Sequence, residues 1–293
     1  QIKWFVVGER GQTYMKELIE EEKKRLQKSE QRTALWNDWL EKRQRPAEQQ
    51  IQRAVYAYLR DAQKRYVERV EAYITQRKTS GSNHIIKAVT DWQQLIGFAD
   101  EVFELQRSLG RSWESVWTLS GTDALDDVYV MAGESKPLDL VFGSRTAAVQ
   151  AIDSASMRIA QTTADKIKKI VEDGLLEGDS VDEIAGKIKS DAKFGIKRSR
   201  TIARTESTKA VNMATDQAYQ TAAANGINIR KEWLSSRDDK VRETHVELDG
   251  QTVGVNEDFV VRSTGVSGPS PAAFGEASED INCRCTIIAV VED

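Results

Sequence analysis

The sequence is poor in cysteine. It has two in 293 residues, Cys283 and Cys285, separated by a single position. A disulfide between residues so close would close a tight, strained ring. Two cysteines also cannot build a disulfide framework, so a small secreted disulfide scaffold is excluded and a reducing interior compartment is the expected setting. Long hydrophobic runs are missing too. No apolar stretch reaches the roughly 18 residues a membrane-spanning helix needs, and no membrane partner is expected. No signal-peptide pattern opens the chain. The first residue is Gln1 rather than Met, which implies a processed chain, a fragment, or the tail of a longer polypeptide. No nucleophile elbow, phosphate-binding loop or paired-carboxylate motif is present. Apolar residues are only 40% of the chain and charged residues 30%, a balance that suits elongated helices with much solvated face.

Charge is uneven along the chain. Residues 1–78 carry 18 lysines and arginines against 12 acids, residues 79–150 carry 5 against 10, and residues 151–293 carry 19 against 24. The basic first third suits a solvated helix face, or contact with DNA or an acidic protein surface.

The first half reads as helix. The short apolar run Ile2–Val7, flanked by Gly8 and Gly11, suggests a strand or an extended arm. Thr13–Arg43 reads as a long helix with an irregular apolar pattern and an expected break near Lys28-Ser29-Glu30. Pro46 predicts a boundary, since the residue before proline avoids the helical region and proline fits a helix's first turn. Ala47–Lys78 carries one apolar stripe: Ile51, Val55, Tyr58, Leu59, Ala62, Tyr66, Val67, Val70 and Ile74. The two helices are expected to form an antiparallel hairpin. Lys78–Asn83 is a flexible break, and His84–Leu109, Trp113–Val130 and Ser144–Glu172 are further helical stretches. His84 reads as a cap or surface residue.

The second half is better punctuated. Ser180 and Glu183 form a capping box, opening a helix with Ile184, Ala185 and Ile188 on one face. In outline this resembles a helix-turn-helix, but Lys187 and Lys189 are few for a DNA-reading element. Ser199–Ala224 is a helix closed by Asn225-Gly226, with Ala203, Ala210, Ala214 and Ala218 near one face. Short strands follow at Ile227–Leu234, Thr252-Val253, Phe259–Val261 and Cys285–Val291, with Asp249-Gly250 as a hairpin turn. The expected fold is α+β and mostly α: long N-terminal helices, then a helical C-terminal domain with a small antiparallel sheet. A division into an extended helical region, 1–150, and a compact domain, 151–293, follows.

Chemistry-bearing residues concentrate near the C-terminus. Cys283, Cys285 and His245, with Asp238 or else Asp249 as the fourth ligand, make up a candidate tetrahedral zinc set. Against it, one intervening residue is a shorter spacing than structural zinc sites use, so the competing expectation is no cofactor, with the cysteines as small buried residues at a strand start. Cys, His and an acid are also the parts of a nucleophilic triad, which makes a zinc- or thiol-dependent hydrolase an alternative reading. The favoured reading is structural. Arg204, Glu206, Asp238, His245 and Asp249 form a charged network locking the alanine-rich helix to the sheet.

The ordered set Ile202-Ala203-Arg204-Thr205-Glu206, Trp233 with Asp238, Arg242-x-x-His245-x-x-Leu248-Asp249-Gly250, and Asn282-Cys283-Arg284-Cys285 resembles the phage Mu F-type minor head protein family, also called phage head morphogenesis proteins. The lead-in from Val171 to Ser180, followed by Glu183-Ile184-Ala185, is similar as well, so the likeness covers roughly Thr162–Val291. It implies a minor capsid protein, not an enzyme, present in multiple copies inside the phage head. Such a protein passes through the host cytoplasm during assembly. It would contact the portal and the capsid or scaffold proteins, with packaged double-stranded DNA as a further partner. The alternative from charge alone is a DNA-binding module built on the basic N-terminal helices.

Overall fold

The computed structural model describes residues 9–79, 92–143, 145–191 and 194–292. The expected arm at Ile2–Val7 and the helix entrance at His84 lie outside the described residues. The chain opens with helix α1 (Glu9–Trp39), which runs through a π-helical turn (Leu40–Gln44) into helix α2 (Arg45–Thr79). This overturns two expectations. First, α1 does not break at Lys28-Ser29-Glu30. That stretch holds neither glycine nor proline, and its irregular pattern reflects exposure, Leu26 and Leu35 both facing solvent. Second, α1 and α2 do not fold back as a hairpin. Trp39 and Arg45, which flank the π turn, both keep right-handed helical dihedrals, so the direction of the chain never reverses. The wide turn also absorbs Pro46, whose missing N–H and ring would otherwise strain a continuing α-helix.

With no hairpin partner, the stripe of α2 packs elsewhere, against helices α4 (Phe98–Met131), α6 (Val181–Ser190) and α7 (Ile196–Ala224). Every stripe residue from Ile51 to Ile74 is buried. A short helix α3 (Trp92–Ile96) meets α4 at Gly97, whose φ of 64° is a left-handed conformation available mainly to glycine. Helix α4 is the hub of the helical body, packed on α2, α7 and helix α5 (Thr146–Glu177). Trp113 and Trp117 stack with ring centroids 5.6 Å apart, and Phe142 lies against Trp117. Gly121 is required there, because a side chain at that position would meet the Phe142 ring at 2.1 Å. Residue 150 lies within α5, and buried residues from the helices and the sheet join in one hydrophobic core.

Helix α6 starts with the capping box as expected: Ser180 Oγ accepts from the Glu183 N–H at 3.2 Å and Glu183 Oε2 from the Ser180 N–H at 2.7 Å. Its Lys187 is held by Glu177 and Asp179, both at 2.6 Å. Helix α7 buries Ala203, Ala210, Ala214 and Ala218 completely, and small side chains let α4 and α2 approach its axis closely.

The C-terminal part is a three-stranded antiparallel sheet in the order β2-β1-β5, made of β1 (Ile229–Leu234), β2 (Thr252–Gly254) and β5 (Thr286–Val291). Between β1 and β2 lies a one-and-a-half-turn helix, α8 (Glu243–Leu248). Strands β3 (Phe259–Val260) and β4 (Ser267–Gly268) pair separately, and a last short helix, α9 (Ala277–Asp280), precedes β5. The fold is therefore α+β and mostly α, as expected from the sequence. No helix among the described residues is long and apolar enough to cross a membrane.

Candidate functional site

The sheet is anchored through its central strand. Strand alternation puts Ile229, Lys231 and Trp233 on one face, and all three are buried. Trp233 meets His245, Phe259 and Phe274 edge to face, at 5.4, 5.3 and 5.7 Å between ring centroids. Lys231 is 1% exposed and donates to Asp216 Oδ1 of α7 at 2.6 Å and to the Pro269 carbonyl at 2.9 Å. Burial outweighs this lysine and raises the Asp216 carboxyl to about 6. The strand period was the available signal for Lys231, which sits between two inward apolar residues.

Helix α8 places His245 in the core at 1% exposure. Its Nδ1 lies 3.6 Å from Cys283 Sγ and 3.4 Å from Cys285 Sγ, and all three ligand-type atoms fall within 4.8 Å of one another. Burial alternates along Cys283, Arg284 and Cys285, so the single-residue spacing turns both thiols to the same side. Burial pushes both thiols up. For Cys283, the hydrogen bond with Cys285 adds to the rise. For Cys285, hydrogen bonds with Cys283 and His245 outweigh burial and hold the thiol well below its ordinary value. On the far side of the imidazole, Glu279 Oε2 of α9 stands 3.1 Å from Nε2, in ion-pair range but outside hydrogen-bond alignment. Thr244 Oγ1 donates to that same carboxylate oxygen at 2.8 Å. Glu279 was not among the residues singled out from the sequence, since nothing in its local pattern separates it from neighbouring acids.

Asp238, expected as a fourth metal ligand, is not in this group. Arg284, facing away from the cysteines, donates to Asp238 Oδ1 at 2.9 Å and draws that carboxylate with it. The five-residue network is not one network either. Arg204 and Glu206 are two positions apart on α7, about 200° around the helix, and take different partners. Arg204 pairs with Glu48 of α2 at 3.1 Å. Glu206 is buried, its carboxyl raised by desolvation, with Arg158 at 3.7 Å. Asp249 accepts from Arg32 at 2.7 Å, from Arg237 at 2.9 Å and from the Ser235 N–H at 2.9 Å.

Other residues lock α7 to the sheet. Thr208 donates to the Cys283 carbonyl at 2.8 Å, and Asn212 donates to the Cys285 carbonyl at 3.1 Å while accepting from the Ile287 N–H at 3.1 Å. Thr205 accepts from the Asn282 N–H at 3.0 Å. From the N-terminal side, Gln44 donates to Ser207 and Thr208, Arg32 pairs with Glu232 and Asp249, and Trp36 Nε1 donates to the Arg284 carbonyl at 2.9 Å. These contacts hold the segment 282–287 on α7 and α1, and tie α1 to β1 and to the turn before β2.

Residues 165–288 match the family model described as Phage Mu protein F like protein. Among curated relatives, the chain is 46% identical over 119 residues to the NAD(+)--arginine ADP-ribosyltransferase EFV of Enterococcus faecalis, covering 41% of this chain and 24% of that protein. It is 30% identical over 144 residues to Minor head protein GP7 of Bacillus phage SPP1, covering 49% of this chain and 42% of that protein. It is 28% identical over 159 residues to the uncharacterized protein YqbB of Bacillus subtilis, covering about half of each. The aligned segments therefore span between a quarter and a half of these relatives' own lengths. No solved structure matches the chain significantly. The matched stretch takes in the C-terminal part of α5, all of α6 and α7, most of the sheet and the His245–Cys283–Cys285 cluster, and over it the chain is similar to the phage Mu F-like head morphogenesis family.

Proposed function

We propose that this protein is a minor capsid component that acts in procapsid assembly beside the portal and stays in the virion. The observation that carries the reading is the Mu F-like match over residues 165–288, together with the relative named a minor head protein. The construction of the C-terminal half supports an assembly role over a catalytic one. Thr208, Asn212 and Asp249 there are paired with backbone groups or with other side chains inside the fold. The relative named a transferase aligns over only 24% of its length, so its activity has ample room outside the shared segment, and we assign none to this chain. The long first helix offers a docking surface for other head proteins, since residues 20–31 are all exposed and rich in charge. Contact between the basic N-terminal helices and packaged DNA is a second element of the proposal, supported by the excess of lysine and arginine in residues 1–78. Such contact would weaken steeply with salt as counterions are released.

The test is co-expression with the portal and major capsid proteins of the same genome, followed by procapsid purification. The chain is expected in the particles, and with the portal when the capsid protein is omitted. Its absence from both would overturn the assembly role, and unchanged DNA mobility at low salt would remove the DNA contact. Incubating the chain with labelled NAD and arginine-rich acceptors is expected to yield no labelled product.

A further inference from the structure

The cluster of His245, Cys283 and Cys285 has geometry that neither core packing nor the assembly role requires. One imidazole nitrogen faces two sulfurs at nearly equal distances, 3.4 and 3.6 Å. A single Nδ1 has one lone pair or one hydrogen in the ring plane and serves one such partner well. A cation between the three atoms serves all of them. Zinc bound at about 2.3 Å from sulfur and about 2.0–2.1 Å from nitrogen, with tetrahedral angles, sets each sulfur about 3.6 Å from the nitrogen. The observed separations already have that value.

The surroundings fit the same reading. A histidine that ligates a metal generally presents its other ring nitrogen to a carboxylate, which fixes the ring's orientation and tautomer. Glu279 Oε2 stands on that side of the ring in ion-pair range, 3.1 Å from Nε2, is itself buried, and is steadied by Thr244. Trp233 stands edge-on to the imidazole and Phe274 lies against its face at 6.4 Å, which gives the cluster an apolar wall. Charge balances as well. When a divalent cation replaces the two thiol protons, which leave to solvent, two thiolates and a neutral imidazole around it carry no net charge. A neutral complex is the only kind such a buried place accepts cheaply.

We propose that His245 Nδ1, Cys283 Sγ and Cys285 Sγ bind one zinc ion, with Glu279 as the positioning residue behind the histidine. Asp238 has no part in it. No fourth histidine, cysteine or carboxylate joins the group among the described residues, so a small ligand such as water takes the remaining tetrahedral position. The ion ties α8 to the lead-in of β5, beside the Thr244–Glu279 and Arg242–Ile281 bonds that already join them.

The test uses the untagged full chain, purified without chelator from cells grown with zinc. Elemental analysis is expected to find about one zinc per chain. Cobalt(II) in its place should give thiolate-to-cobalt charge transfer and the intense visible bands of a tetrahedral ion. Cys283→Ser and His245→Asn should lose the metal, and Glu279→Gln should keep the site but bind about 10–100-fold more weakly. Should the cysteine and histidine variants fail to fold, the wild-type cobalt spectrum and the Glu279→Gln affinity decide the matter without them. Folded wild-type protein holding less than roughly a tenth of an equivalent of zinc and showing no sulfur-to-cobalt band would overturn the proposal. So would an intramolecular disulfide between Cys283 and Cys285.

Discussion

The helical body and the C-terminal sheet are held by different means. In the body, α2, α4 and α5 present long apolar stripes, and the burial is spread over many residues, from Ile51 on α2 through Leu109 on α4 to Ile167 on α5. No one side chain dominates. In the sheet region the strands have two to six residues. A few groups carry the load: Trp233 with its ring of aromatics, the Lys231–Asp216 pair, and the Thr208, Asn212 and Asp249 contacts to backbone. Stripes are redundant, because removing one methyl leaves neighbours to relax into the gap. Specific polar and aromatic anchors are not, because each leaves behind an unpaired partner or a hole of its own shape. The sheet region should therefore be the more brittle of the two.

The sharpest way to break this contrast is Trp233→Ala. It should cost about 3–5 kcal/mol. Amide exchange should show protection falling first in residues 229–291 while α4 and α5 stay protected. Simultaneous loss in both regions would mean that the sheet and the body are one cooperative unit and the contrast is false. Asp216→Ala should follow, at about 3–5 kcal/mol, since it strands a buried ammonium. Pairing it with Lys231→Met should recover much of that loss, as the charge and its partner then vanish together. The same residue gives a pH test. Its carboxyl sits at about 6 in the folded chain, above the ordinary value of about 3.9 for an aspartate in an unfolded chain. Protonation thus favours the folded form. This group's stabilising contribution is complete below about pH 4 and is lost as the pH rises towards about 6. The stability difference between wild type and Asp216→Asn should change through that window and stay constant above it. A flat difference in urea titrations across that range would exclude the burial-driven shift.

Smaller effects belong to the helices. Leu109→Ala on α4 is expected to cost about 2–5 kcal/mol, towards the lower end if the surrounding stripe relaxes as argued. A loss above that range would show that the body has dominant anchors too. Ser180→Ala removes one capping hydrogen bond from α6 and should cost about 1 kcal/mol. Thermal unfolding would register it as a modest shift with no change in binding or assembly.

Much of the helical half was legible because local chemistry decides it. The α2 stripe, the Ser180–Glu183 box and the alanine face of α7 follow from three- and four-residue spacing and from side chains that bond their own backbone. The course of α1 into α2 was not legible. A proline after a charged run reads as a boundary, and only the π turn, whose flanking residues Trp39 and Arg45 stay helical, carries the chain straight on. At the candidate site the three residues that converge were all visible beforehand, since His245, Cys283 and Cys285 are scarce residue types in a chain with two of each. Their partners were not. Glu279 and Asp238 are ordinary acids among 46 aspartates and glutamates, and which one faces the imidazole depends on where α9 docks and on which way Arg284 points.

The sequence by itself determined most of the element types, the family likeness of the C-terminal half and which scarce residues carry soft donor atoms, because these rest on local periodicity and on rare residues in a fixed order. The tertiary structure alone decided the pairings: Lys231 with Asp216, Arg204 with Glu48, Arg32 with Asp249, and His245 between two thiols and a carboxylate. Each joins residues from separate elements. A contact of that kind is set by how helices and strands pack in three dimensions, and chain order carries no record of it.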